Sequence, residues 1–257
     1  MKHGIRIGLI CLITSLVMQP SRAADNSASL ATKGKQLFED NFARAEMSPK
    51  WRVGKGFFVV KDGTVTVAEN PDDHHGAYAY ITPSFPFKDI VAEFSVKMVG
   101  ARTCNLMVND SKYKEAHAGH ILKATVMPGK INLSDYKFGA MKNDIYTKLS
   151  DANVPADEKK KIRESIKDKS ADFKVEGDPS QWHAVRVEIV GDEMLMSIDG
   201  KPVGYLKSEG INHPTKNAIG FEVGGKAVVI KDVKVWDAAA SGDWPAARSA
   251  IIASLNK

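Results

Sequence analysis

WHAVRVEIVGDEMLMSIDGKPV, residues 182–203, decides the fold class. His183, Val185, Val187 and Ile189 alternate with Ala184, Arg186 and Glu188, a period of two that belongs to a half-buried strand. Met194, Met196 and Ile198 continue the pattern. Asp199-Gly200 then offers two residues that accept positive φ, the mark of a two-residue hairpin, ahead of Val203 and Tyr205. Short strands joined by tight turns make an antiparallel meander.

The same period runs outward from this stretch. Ile90, Ala92, Phe94, Val96 and Met98 alternate with Asp89, Glu93, Ser95 and Lys97. Asp62-Gly63 predicts a second hairpin between 57–60 and 64–68. Ile219, Phe221 and Val223 predict a short strand closed by Gly224-Gly225. In the last strand the apolar phase moves from Val228 and Ile230 to Val233 and Val235, so a bulge is expected near Lys231-Asp232. Strand–helix–strand rhythm is missing, which argues against a parallel α/β fold. The expectation is mainly β: one antiparallel two-sheet sandwich over 37–238. Residues 154–173, charged and with Ile162 and Ile166 one turn apart behind Pro155, predict an inserted surface helix. Residues 239–257 predict a C-terminal helix, its helical stretch Trp244 to Leu255 capped by Asp243 and joined by the linker 238–242. Trp182 and Trp236 are expected in the core.

The N-terminus reads as an export signal over 1–23. Lys2 and Arg6 precede an apolar run from Ile7 to Met18, and Ser21-Arg22-Ala23 offers small residues before a cut at Ala24. That run is shorter than the roughly 20 residues of a spanning helix. A secreted or periplasmic protein, with no stable membrane insertion after cleavage, is expected, and 24–36 reads as a tail. Of 36 Lys and Arg, three fall in the signal, leaving 33 against 31 Asp and Glu. That near-balance, with no basic patch interleaved with aromatics, argues against nucleic-acid binding. Cys104 is the one cysteine after the signal, set between apolar neighbours, and is expected to be a buried small hydrophobe rather than half of a disulfide.

Several stretches together resemble a known family: LFEDNF (37–42), WRVGKGFFVVKDGTV (51–65), FPFKDIVAEFSVKM (85–98), the 182–203 stretch and VVIKDVKVWDA (228–238). In this order they resemble the 3-keto-disaccharide hydrolase-like domain family of exported bacterial proteins. The resemblance implies a concanavalin A-like jelly-roll sandwich and a carbohydrate partner. Members usually carry an Asn-Ser-Gly-Ile type stretch after the strand equivalent to 89–98. Here ARTCNLMVND (101–110) stands there, so no catalytic residue follows from the resemblance.

Candidate site residues come from the strand faces. Asn105 and Asn109 oppose Cys104, Leu106 and Val108; Lys123 opposes Leu122, Ala124 and Val126; Glu222 opposes Phe221 and Val223. Asn105, Asn109 and Glu222 are the expected ligand-binding set. Tyr78 and Tyr80 share a face and suit either sugar stacking or the core. His74 and His75 in PDDHHG, and His117 and His120 in HAGH, supply groups that titrate near neutrality. A 3-keto group acidifies the adjacent C–H, so cleavage by elimination needs a base and an oxyanion stabiliser. His75 or His120 as base and Lys123 as stabiliser are the candidates. His75, His117, His120 and Asp73 match no tight zinc spacing, and in a strand the two ends of His-x-x-His face opposite ways. Neither metal nor cofactor is expected. The alternative to an enzyme is a non-catalytic glycan-binding or adhesion module.

Overall fold

A computed structural model describes residues 29–255; the export signal lies outside the described residues. The elements follow in order as β1 (Ala31–Asp40), β2 (Trp51–Lys55), β3 (Phe57–Lys61), β4 (Thr64–Ala68), β5 (Ala77–Ile81), β6 (Ile90–Asn109), β7 (His120–Met127), β8 (Lys130–Asp135), α1 (Asn143–Ser150), α2 (Ala156–Ser165), β9 (Ser170–Lys174), β10 (His183–Val190), β11 (Glu193–Ile198), β12 (Lys201–Lys207), β13 (Ala218–Ala240) and α3 (Trp244–Leu255).

Two long strands make both layers of the sandwich. The first half of β6 pairs with β10 and with the second half of β13, inside the back layer β12-β11-β10-β6-β13-β4-β3. Its second half pairs with β7 and with the first half of β13, inside the front layer β2-β5-β13-β6-β7-β8-β9. β1 adds to the end of β13. The change of layer occurs at Gly100 (φ 85°) and Gly225 (φ 94°), where the β6–β13 register slips. Glycine permits those angles, and the slipped residues bend both strands together.

Gly224-Gly225 therefore does not close a strand, as the sequence suggested: it is the corner of a continuous one. The expected bulge is present, with Asp232 at φ 54° inside the slip between Lys231 and Lys234. Both expected hairpins turn on paired positive φ, 50° and 73° at Asp62-Gly63 and 51° and 78° at Asp199-Gly200. Between the layers, Phe94 meets Phe221 edge-on at 4.9 Å and Trp51 lies 5.8 Å from the Phe221 ring. Burial of each such side chain contributes about 1.5–3 kcal/mol.

Four other expectations need correcting. The span 24–36 is not all tail, because β1 starts at Ala31. The 154–173 insert holds α2 and the start of the edge strand β9, and α1 precedes it; neither helix has a buried residue, so the surface placement stands. Ala239 and Ala240 finish β13 rather than belonging to the linker and the C-terminal segment, while the helix itself runs Trp244–Leu255 as expected. Trp182 is 39% exposed with the Lys231 ammonium 4.7 Å from its ring, and Trp236 is half-buried under Lys33. Both lie on the outer face of the back layer, which strand alternation alone does not distinguish from the inner one.

Candidate functional site

Alternation along the front layer sends apolar side chains inward and a polar set to the opposite face. Cross-strand register aligns that set. Tyr78 on β5 opposes Glu222 on β13, Glu222 opposes Asn105 on β6, Asn105 opposes Thr125 on β7, Thr125 opposes Asn132 on β8, and Asn132 opposes Asp172 on β9. Adjacent strands lie about 4.8 Å apart, so this row runs about 24 Å across the sheet. Two residues along the strands, a second row runs Arg52, Tyr80, Gly220, Met107, Lys123, Ser134 and Ser170. Asn105 Nδ2 donates to Glu222 Oε2 at 3.2 Å. Asn105 Oδ1 and Thr125 Oγ1, neighbours at the middle of the first row, are two of the three buried side-chain polar atoms left without a partner among the described residues. Buried polar groups are nearly always satisfied, so this row is where the fold leaves hydrogen bonding incomplete.

At the β5–β13–β6 end the face deepens into a cavity of about 320 Å³ whose lining includes Arg52, His75, Tyr78, Tyr80, Asn109, His117, His120 and Glu222. The sequence could not pair these histidines. HAGH is not extended: Ala118 (φ 52°) and Gly119 (φ 69°) turn the chain, and the His117 and His120 rings come within 6.2 Å on one side. A Cβ on Gly119 would sit 2.1 Å from the Asp110 carbonyl oxygen, so the turn needs glycine. His117 also stacks on Tyr146 of α1 at 3.8 Å. Asp73 is absent from the cluster, because its carboxylate accepts the Gly56 N–H at 2.8 Å. Among the described residues no three His, Cys, Asp or Glu side chains are disposed to hold a metal.

Asn109 is the hub of the cavity. Its Oδ1 accepts from His120 Nδ1 at 2.9 Å, and its Nδ2 donates to the Tyr80 hydroxyl at 2.8 Å. An amide oxygen can only accept, so the His120 proton is on Nδ1 and Nε2 keeps its lone pair. Burial, reinforced by His117, Lys123 and His75, holds the His120 pKa down to about 4. The imidazole is therefore neutral at neutral pH. Tyr80, whose oxygen accepts from Asn109, keeps its own proton for another acceptor, and burial pushes its pKa up to about 12. The Arg52 guanidinium lies 5.8 Å from the Tyr80 ring. His75 donates from Nδ1 to the Gly76 carbonyl at 2.7 Å and meets Tyr78 edge-on.

The structure thus brings His75, His120, Asn109 and Glu222 to one cavity, with Asn105 hydrogen-bonded at its edge. Lys123 shares the face, but its ammonium rests 4.9 Å from the Tyr136 ring, outside the lining. Arg52 is the residue sequence reasoning missed, because it sits in a strand whose pairing partner Tyr80 is distant in sequence; His117 was named with its neighbour His120, but its place beside that ring is set by a turn. A groove of about 410 Å³ on the outer face of the back layer is a weaker candidate, because Arg186, Glu188 and Glu93 there pair with one another.

A profile of the family described as the 3-keto-alpha-glucoside-1,2-lyase-like domain matches residues 32–236. The chain belongs to this family. No relative among curated proteins matches the sequence. The lyase-like domain has the fold of several solved structures. One is a Bacillus subtilis protein of unknown function with a galectin-like fold (14% identity, TM-score 0.56, covering 82% of this chain and 100% of that one). Another is an endo-beta-1,3-glucanase from Pyrococcus furiosus (12% identity, TM-score 0.54, 83% and 100%). A third is the non-specific endo-beta-1,3(4)-glucanase SCLam (12% identity, TM-score 0.54, 80% and 94%). At such identities the likeness fixes the lyase-like domain's jelly-roll architecture and nothing finer. Family and fold together make it a carbohydrate-active domain.

Proposed function

We propose that this exported domain cleaves the glycosidic bond of a 3-keto-α-glucoside by elimination, with His120 as the base. What supports the reading is the Asn109-centred chain, which leaves an unprotonated imidazole Nε2 and a proton-bearing Tyr80 hydroxyl bordering one cavity.

The ketone at carbon 3 makes the proton on carbon 2 acidic. His120 Nε2 removes that proton, and the C–H electrons delocalise into an enolate with its charge on the ketone oxygen. Arg52 is the cation of the cavity lining and stabilises that charge. The enolate then collapses: the ketone re-forms, a double bond forms between carbons 1 and 2, and the bond from carbon 1 to the glycosidic oxygen breaks. The departing oxygen takes a proton from the Tyr80 hydroxyl. Glu222, Asn105 and Asn109 hold sugar hydroxyls, and Tyr78 gives the ring a stacking surface.

The test uses 3-keto-glucosides with the wild type, His120→Ala, Tyr80→Phe and Arg52→Ala. Removal of a general base costs about 10²–10⁴-fold in turnover. His120→Ala should lose turnover in that range and keep substrate binding. If wild type and His120→Ala bind glycans equally and neither cleaves, the domain is a glycan-binding module, the second reading of the same cavity. If the wild type neither binds nor cleaves any glycan, both readings fail. Export is tested separately by N-terminal sequencing of secreted protein, where Ala24 is the expected first residue.

A further inference from the structure

The insert between β8 and β9 builds a second cavity, about 480 Å³, at the other end of the polar rows. Its floor is Ser134, Ser170 and Asp172 on β8 and β9, and its wall is Arg163, Ile166, Lys167 and Lys169 from α2 and the turn after it. Tyr136 is the partition between the two cavities. It lines the second, and its ring stands 5.9 Å from that of His120, which lines the first.

Three cations border this cavity, and their pairing leaves them available to a ligand. Lys167 pairs with Glu164 and Lys169 with Asp168, both acids about two-thirds exposed and outside the cavity lining. Arg163 is in none of the insert's ion pairs among the described residues. Of the two acids that do line the cavity, Asp135 is fully engaged, and Asp172 is exposed with the Lys130 ammonium 4.0 Å away. Asp135 is buried, with its oxygens taken by Ser208, the Gly210 N–H and the Phe138 N–H, and Asp172 accepts from Asn132. A guanidinium beside two ammonium groups and two serine hydroxyls suits a carboxylate, sulfate or phosphate.

We propose that the second cavity is the aglycone subsite and that it selects an anionic aglycone. This rests on the first cavity being the site of cleavage. A glucoside with its sugar against His120 extends past Tyr136 along the rows, and the next built feature it meets is the Arg163–Lys167–Lys169 wall.

Phenyl 3-keto-α-glucoside and its 4-carboxyphenyl counterpart, which differ by one carboxylate, provide the test on the full chain. The wild type should favour the carboxylate in kcat/KM by about tenfold or more at low ionic strength, and added salt should erode the preference. Arg163→Glu with Lys167→Glu should abolish or invert it, read as the ratio of kcat/KM for the two glucosides within the one variant, so that a general change in turnover cancels. Lys35→Glu, an equally exposed site on β1, should leave the preference intact and so separates the cavity from net charge. Equal handling of the two glucosides by the wild type overturns this proposal and leaves the cleavage reading standing. Cleavage of neither overturns both.

Discussion

Replacing His120 with Gln removes the titrating ring and retains a group able to hydrogen-bond Asn109. The wild-type imidazole has a pKa held near 4 in the fold, against an ordinary value of 6.5. Its folded pKa is lowered, so the unfolded chain takes the proton first. Above pH 6.5 neither state is protonated and His120 contributes nothing to pH dependence. Between 6.5 and 4 the unfolded state gains a proton that the native state refuses, and the fold loses stability as pH falls. At about pH 4.5 that loss is about 2.5 kcal/mol, and at about pH 7.5 it is close to zero. Urea unfolding of wild type and His120→Gln at both pH values isolates it, because groups that do not interact with His120 cancel in the difference. The stability gap should move against the wild type by about 2.5 kcal/mol on going to the lower pH. The acid limb of kcat/KM should fall in the same window, well below 6.5. A constant gap, or an NMR titration of the ring with its midpoint near 6.5, refutes the idea that burial keeps this imidazole neutral.

Three further outcomes are expected. Cys104 is wholly buried and its thiol is pushed up to about 12 by burial, so it should resist thiol reagents in the native protein and react in urea. Cys104→Ser should cost about 1–2 kcal/mol in denaturant unfolding. His183 bonds Asp199 at 2.7 Å and the Asp178 carbonyl at 2.9 Å, which raise its pKa above 6.5. Its contribution is complete below 6.5 and disappears as pH rises through the folded value, so His183→Gln should narrow its deficit in melting temperature from pH 5.5 to pH 9. Gly119→Ala forces a Cβ against the Asp110 carbonyl at positive φ and should destabilise by at least about 2 kcal/mol, visible as a lower urea midpoint, and displace His117 and His120.

The architecture was largely written in residue order. Period-two alternation, Asp-Gly pairs and the phase slip at Lys231-Asp232 act over a few residues, and local chain chemistry decides them. The polar face was legible for the same reason: Asn105, Asn109, Lys123 and Glu222 are separated from the core simply by parity. Legibility ended where parity ended. Gly224-Gly225 reads as a stop and is a corner, because only pairing with the bend at Gly100 keeps the strand going. Trp182 reads as core and is exposed, since alternation names two faces without naming which one is covered.

The candidate cavity was decided by tertiary structure. Residues 52, 80, 109, 120 and 222 meet through strand register across β2, β5, β13, β6 and β7, contacts that no spacing along the chain encodes. The neutral state of His120 depends on burial and on the Asn109 amide, and the pairing of His117 with His120 depends on two residues at positive φ. Local propensity set which residues point out of the sheet. Register and desolvation, both properties of the assembled sandwich, set which of them share a cavity and which carry a proton there.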